Sequence, residues 1–374
     1  MCLGLSTSTF AAPGDAPTIN KQSQVVVSSL SQLQSTLKQV RVSTTILVAP
    51  GRYKSLKLYD ISIPFGTVIK SIDEKRHAEF EGFTLSNVKG LKLADLDIIA
   101  PSKGPMNGRY GAFVVHSKNI ELQGLRFVGP GKAFDRRYVS ALMLRSSTDI
   151  TVSNSYFTNF WHGLSMLDLE NSVIERNEFE GLQTDGIRGG GVSNLTIKGN
   201  VITDFTPARS DHPDGIQLWS NDQDEPGRNI TIQDNIVVRG KGAPTQGIFI
   251  RDTYAKLPFE NLQIIGNLVI GGRYNGISVG GAIVVNVTGN TVIPFEDQKS
   301  WIRLEQTRRA SVVNNSAGTF IFRNNPENPR SRGNVSIKPH DRNIAQIISR
   351  WARQKRAFST YRGSVLLRLM SNGS

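Results

Sequence analysis

Through the middle of the chain, short runs of alternating apolar and polar residues end repeatedly on an asparagine. The phrase occurs at Thr151-Val-Ser-Asn154, Ile174-Glu-Arg-Asn177, Ile197-Lys-Gly-Asn200, Ile232-Gln-Asp-Asn235, Ile264-Ile-Gly-Asn267, Val287-Thr-Gly-Asn290 and Val312-Val-Asn-Asn315. Successive asparagines stand 23, 23, 35, 32, 23 and 25 residues apart. A fixed period with its excess length in turns marks a solenoid, in which each repeat buries its apolar face only against its neighbours. Strands this short, with no helix between them, predict one coil of a parallel β-helix per repeat. The asparagines then stack at one corner as a ladder, because Asn tolerates left-handed backbone and satisfies turn amides.

A glycine opens a second frame between the asparagines. Gly163, Gly186, Gly215, Gly247 and Gly276 each precede a strand. Alternation points Leu164, Ile187, Ile216, Ile248 and Ile277 inward and Ser165, Arg188, Gln217, Phe249 and Ser278 outward. The two frames interleave one to one, and fainter coils continue upstream at residues 120–124 and 91–95. The pattern predicts about ten coils. Residues 29–40 place Leu30, Leu33 and Leu37 at helical spacing, as a cap over the first coil requires. At the other end Asp341 is positioned to N-cap a helix with Ile344, Ile347, Ile348 and Trp351 on one face. The expected organisation is an export-signal remnant or disordered arm over 1–21, a β-helix with its cap helix over 22–322, and a basic tail with a cap helix over 323–374.

Composition changes this picture at three points. One cysteine, Cys2, excludes an internal disulfide framework, so the stacked core must hold the fold. There is no apolar run of the ~20 residues that span a bilayer. The net charge of +13 invites a polyanionic partner, but residues 323–374 hold eleven Lys and Arg against two acids, and so carry most of it. The solenoid is only mildly basic. The tail's charged side reads as the solvated face of a cap helix, and no nucleic-acid partner is expected.

The cap helix followed by Ile46-Leu-Val-Ala-Pro-Gly-Arg-Tyr53 and stacked coils resembles the right-handed parallel β-helix proteins of the pectate-lyase-like superfamily. The opening is most similar to those of alginate and chondroitin lyases and mannuronan epimerases. The resemblance implies a right-handed, all-β solenoid that is secreted or periplasmic and takes a polysaccharide. It does not fix the chemistry, because lyases, hydrolases, epimerases and non-catalytic proteins share the fold. The lysine- and arginine-bearing lyase motif has no clear match here. The epimerases' Asp-Pro-His-Asp cluster is echoed in altered order by Asp211-His-Pro-Asp214.

The site therefore has to come from where the repeat is interrupted. The extra length of the two long steps falls in residues 204–213, 221–227, 241–245 and 253–258, with a further insertion at 129–138. All precede or follow the Gly-Ile strand and predict walls on both sides of one face, where a solenoid keeps function. His162, Asp185, Asp214, Gln246 and Asn275 immediately precede the turn glycines and fall on successive rungs ~4.8 Å apart. Two carboxylates that close, Asp185 and Asp214, cannot both ionise cheaply without a cation or base between them. They could form an acid and its partner for glycoside hydrolysis, or with Asp211 bind a hard cation such as Ca²⁺. Alternatively His212 or His162 acts as a base that the carboxylates orient. The next outward positions are Arg145, Arg188, Gln217, Trp219 and Arg251, of which the arginines suit carboxylates or sugar hydroxyls and Trp219 a sugar ring. Tyr254 or Tyr138 could return a proton to a leaving oxygen.

The expectation is an enzyme on a uronic-acid-containing glycan, by β-elimination or C5 inversion. Hydrolysis by the Asp185/Asp214 pair and non-catalytic glycan binding are the alternatives. The catalytic candidates are Asp185, Asp214, His212 and Tyr254. The substrate-binding candidates are Arg145, Arg188, Gln217, Trp219, Arg251 and His162.

Overall fold

The computed structural model of the protein describes residues 23–101, 110–130, 139–361 and 363–371. Its strands wind into a parallel β-helix with two sheets, one of 18 strands and one of 12. The 12-stranded sheet is built from short segments, such as Val201–Thr203, Ile236–Val238 and Leu268–Ile270, stacked in register. Its twelve strands exceed the ten or so coils expected. The added rungs lie at the ends, from Gly51–Tyr53 to Val335–Ser336, where the asparagine phrase is absent or degraded. The solenoid thus runs past residue 322: Arg330–Arg332 pairs with Ser311–Val313, and Val335–Ser336 pairs with Ser316–Ala317.

The asparagine ladder is present with one slip of frame. Asn177, Asn200, Asn235, Asn267, Asn290 and Asn315 are buried, each Nδ2 donating to the Oδ1 of the next at 2.9–3.0 Å. Each Oδ1 also accepts the backbone N–H of the residue one rung before it, Ser155 for Asn177 and the preceding asparagine for the rest, so the corner has few open polar groups. Asn154 is not in the ladder. It is an exposed αL turn residue with φ 51°, aligned with Arg176, and Ser155 takes the ladder position. Asn334 extends the ladder at the far end.

The central residue of each short strand, such as Ile202, Val237, Val269 or Val292, enters the main core. Its neighbours Val201, Ile236, Val238, Leu268, Ile270 and Ile293 face outward, yet they are buried. The C-terminal tail covers them. Helix α1 (Leu30–Gln39) is N-capped by Ser29 and sinks Leu33 and Leu37 into the main core. Helices α2 (Ile344–Arg353) and α3 (Ser364–Ser371) instead pack through Ile348, Ala352, Val365, Leu366 and Leu369 on the flank of the 12-stranded sheet. The tail helices are thus a strap along the side and not an end cap. The physical reason is the outward apolar pattern of those short strands, which has to be covered. The N-cap of α2 is Asn343 in αL conformation, two residues after the expected Asp341.

Candidate active site

The Gly-Ile frame builds the site, and the glycines act through space, not through φ. A Cβ on Gly215 would lie 2.7 Å from Gly247 O and 2.8 Å from Val237; Gly186 and Gly247 meet equivalent core atoms. Glycine and the following apolar residue both face the core, so alternation is broken. The residue before each glycine is thereby turned outward. His162, Asp185, Asp214, Gln246 and Asn275 line up this way, one per rung, and Ser140 extends the row ahead of His162.

They form a continuous hydrogen-bonded row. Ser140 Oγ meets His162 Nδ1 at 2.8 Å, and Arg188 Nη1 contacts His162 Nε2 and lies 3.2 Å from Asp185 Oδ2. Asp185 Oδ1 accepts the backbone N–H of Asp214 at 3.1 Å. Asp214 accepts from Gln217 at 2.7 Å and from Gln246 at 2.6 Å, and its Oδ2 stands 3.5 Å from His212 Nδ1. Gln246 in turn receives the Asn275 amide, and Trp301 Nε1 donates to Asn275 Oδ1 at 2.8 Å.

Burial sets the electrostatics. Asp214 is 0% exposed and Asp185 4%, whereas the His212 side chain is 65% exposed. Loss of hydration, then the facing Asp214 carboxylate, push Asp185 up to about 7 against the pull of Arg188. Asp214 is also raised, first by burial and against its bond to His212. The two titrate as a pair. His212 is raised, chiefly by its hydrogen bond to Asp214. His162 is driven down to about 2 by burial and then by Arg188, so it sits in the row as a neutral imidazole.

Asp185, Asp214, His212, His162, Arg188 and Gln217 therefore come together. Trp219 joins them through Arg188, whose guanidinium lies 4.8 Å from the indole centroid. The remaining candidates fall elsewhere. The register puts Arg145 and Arg251 at the far end of the strand and Arg188 with Gln217 in its middle, so the three arginines do not form one row. Tyr254 is 62% exposed in the loop beyond Arg251, at the opposite end of the strand from Asp214. Asp211 is turned away, its Oδ2 held by Gln183 and the Ala208 N–H at 2.7 Å each. Asp185, Asp211 and Asp214 thus do not assemble the expected cation site, and no group of three potential His, Cys, Asp or Glu ligands gathers among the described residues. Tyr138 and most of the 129–138 insertion lie outside the described residues. Sequence reasoning missed Ser140, Gln183 and Trp301. Ser140 is followed by alanine and Trp301 by isoleucine, so neither shows the glycine that marks the frame.

Residues 71–208 match the family model described as a right handed beta helix region. Fold and match together define the chain as a right-handed parallel β-helix protein. Among solved structures it is similar to the Azotobacter vinelandii mannuronan C-5 epimerase AlgE6 A-module, with TM-score 0.58, 11% identity, and 85% and 97% of the two chains covered. It is also similar to an alginate lyase from Paenibacillus sp. str. FPU-7, with TM-score 0.52, 16% identity and coverage of 84% and 99%. A third similar structure is PfbA, a surface adhesin of Streptococcus pneumoniae, with TM-score 0.52, 12% identity and coverage of 82% and 86%. Identities this low show a shared fold and carry no residue across. No curated protein matches the sequence.

Proposed function

We propose that the protein is an exported polysaccharide lyase or C5-epimerase that abstracts the proton beside the carboxylate of a uronic acid. The observation that carries this reading is an accessible imidazole, His212, held by a fully buried carboxylate, Asp214, next to Arg188. Asp214 faces Nδ1 of His212, which leaves Nε2, now contacted by the Gln246 amide, for the substrate proton. The raised basicity of His212 makes it a stronger acceptor once deprotonated.

Arg188 supplies the complementary charge. Its partner Asp185 is partly protonated near neutral pH, so the guanidinium retains charge for the substrate carboxylate. In β-elimination the C5–H pair becomes the C4–C5 double bond as the C4–O bond breaks. The His212 imidazolium then returns its proton to the departing oxygen. In C5 inversion the carbanion takes a proton from water on its other face, and the His212 imidazolium gives up its own to solvent. Such polymers lie outside the cytoplasm, so the proposal includes a secreted or periplasmic location.

Hydrolysis by the two aspartates fits less well. Both Asp214 oxygens are already engaged, and neither carboxylate is open to a sugar carbon. The test is a panel of uronate and neutral polysaccharides, each with and without Ca²⁺, followed by ultraviolet absorbance of unsaturated uronate and by a reducing-end assay. Both signals rising on a uronate polymer supports elimination. Reducing ends without absorbance restores the hydrolytic pair. No product and no C5 proton exchange on any polymer leaves glycan binding.

A further inference from the structure

The polar row does not stop at the carboxylates. Three rungs on, past Gln246 and Asn275, it ends on Trp301, which sits beside Tyr274. The two rings have centroids 5.5 Å apart and an interplanar angle of 32°. The Arg273 guanidinium lies 5.3 Å from the Tyr274 centroid. Tyr274 is 44% exposed, and Trp301 and Asn275 are half-buried with their polar atoms directed along the row.

The backbone here is strained. Tyr274 has φ 50°, in the left-handed region that bulky residues rarely enter. Its N–H is tied to Lys299 O at 2.7 Å, and the pairing of its strand shifts register between Asn275 and Ile277. A tyrosine held in such a conformation and turned toward solvent gains nothing for the core. Strain of this kind collects where a side chain has to be presented.

We propose that Tyr274, with Trp301 and Arg273, forms a distal subsite that stacks a sugar ring of the same glycan chain engaged at His212 and Arg188. The inference rests on the reading of that centre as uronate-specific. Continuity supports the occupant: hydrogen bonds link Asp214, Gln246, Asn275 and Trp301 without a break. The ring faces offer apolar area and Arg273 a cation, which matches a pyranose carrying a carboxylate. Three rungs at ~4.8 Å place the platform about 14 Å from Asp214 along the axis, so a chain must extend several residues beyond the reacting one to reach it.

The test is binding of 1,4-linked hexuronate oligosaccharides of two to six units, by calorimetry, to the parent protein, Tyr274→Ala, Tyr274→Phe and His212→Gln. The parent is expected to bind the longer oligosaccharides more tightly than the disaccharide. Tyr274→Ala should lose roughly three- to tenfold on the long oligosaccharides and nothing on the disaccharide. Tyr274→Phe keeps the ring and should keep the gain with length. If Tyr274→Ala retains the full gain, or weakens all lengths alike, the subsite is refuted while the uronate reading stands. If the parent binds none of these oligosaccharides, the uronate reading itself fails, and the subsite with it.

Discussion

Gly215 has no side chain because there is no room for one, and that lack of room turns Asp214 out of the core. Gly215→Ala should cost about 1–3 kcal/mol in denaturant unfolding, as overpacking does, and should perturb the site with it. Asp185 makes the opposite prediction. Its folded pKa lies above the ordinary 3.8, so the native state keeps a proton that the unfolded chain has lost. Stability therefore falls as pH rises from the ordinary carboxylate range through about 7, because the native state binds more protons there. Asp185→Asn removes that cost while keeping an oxygen for the Asp214 N–H. It should gain about 1–3 kcal/mol at pH 8 and almost nothing near pH 3, measured by unfolding at both. For Asp214→Asn the readout is the pH–rate profile. Without its carboxylate the His212 pKa falls, so the acid limb of activity moves to lower pH while the maximal rate drops. A limb that stays in place would mean that His212 is not the titrating base.

At the scale of the element, the ladder and the turn glycines were legible in the sequence because both are one-residue requirements repeated at a fixed offset. Asn154 was misread for an instructive reason. An αL turn and a ladder rung both favour Asn, and in Asn154-Ser155 the adjacent residues exchanged roles. The contrast can be measured. Asn235→Ala removes the acceptor of the Asn200 N–H and of the Asn200 side-chain amide and the donor to the Ile197 carbonyl, and should cost about 2–4 kcal/mol. Asn154→Gly, at an exposed positive φ, should be close to neutral. The paired carboxylates and His212 were legible through the insertions. The burial that closes Asp214 was not, because it depends on Gln217 from its own strand and Gln246 from the next rung. The division of the three arginines was also hidden, since a residue's place along its strand follows from register and not from its spacing to the nearest glycine.

On the scale of the whole molecule, one sheet carries the candidate chemistry and another is covered by the tail. The strap is pinned by charge as well as apolar contact. Arg368 bridges Glu180 at 2.6 Å and Asp204 at 2.8 Å, and Lys355 meets Asp234 at 3.0 Å. Removing residues 340–374 should leave the parallel-sheet circular dichroism in place but uncover Val201, Ile236, Val238, Leu268 and Ile270, read as dye binding and self-association. Unchanged solubility and no dye binding would show that the strap is dispensable. On the other sheet the polar row carries the proposed chemistry, in which His212 takes a proton from C5 of a uronic acid. The most direct measurement is nuclear magnetic resonance of a uronate polymer incubated in deuterated water with the parent and with His212→Gln. Unsaturated uronate or deuterium at C5 is expected with the parent and neither with the variant. Equal exchange in both, or chain cleavage in which every C5 proton stays in place, would contradict it.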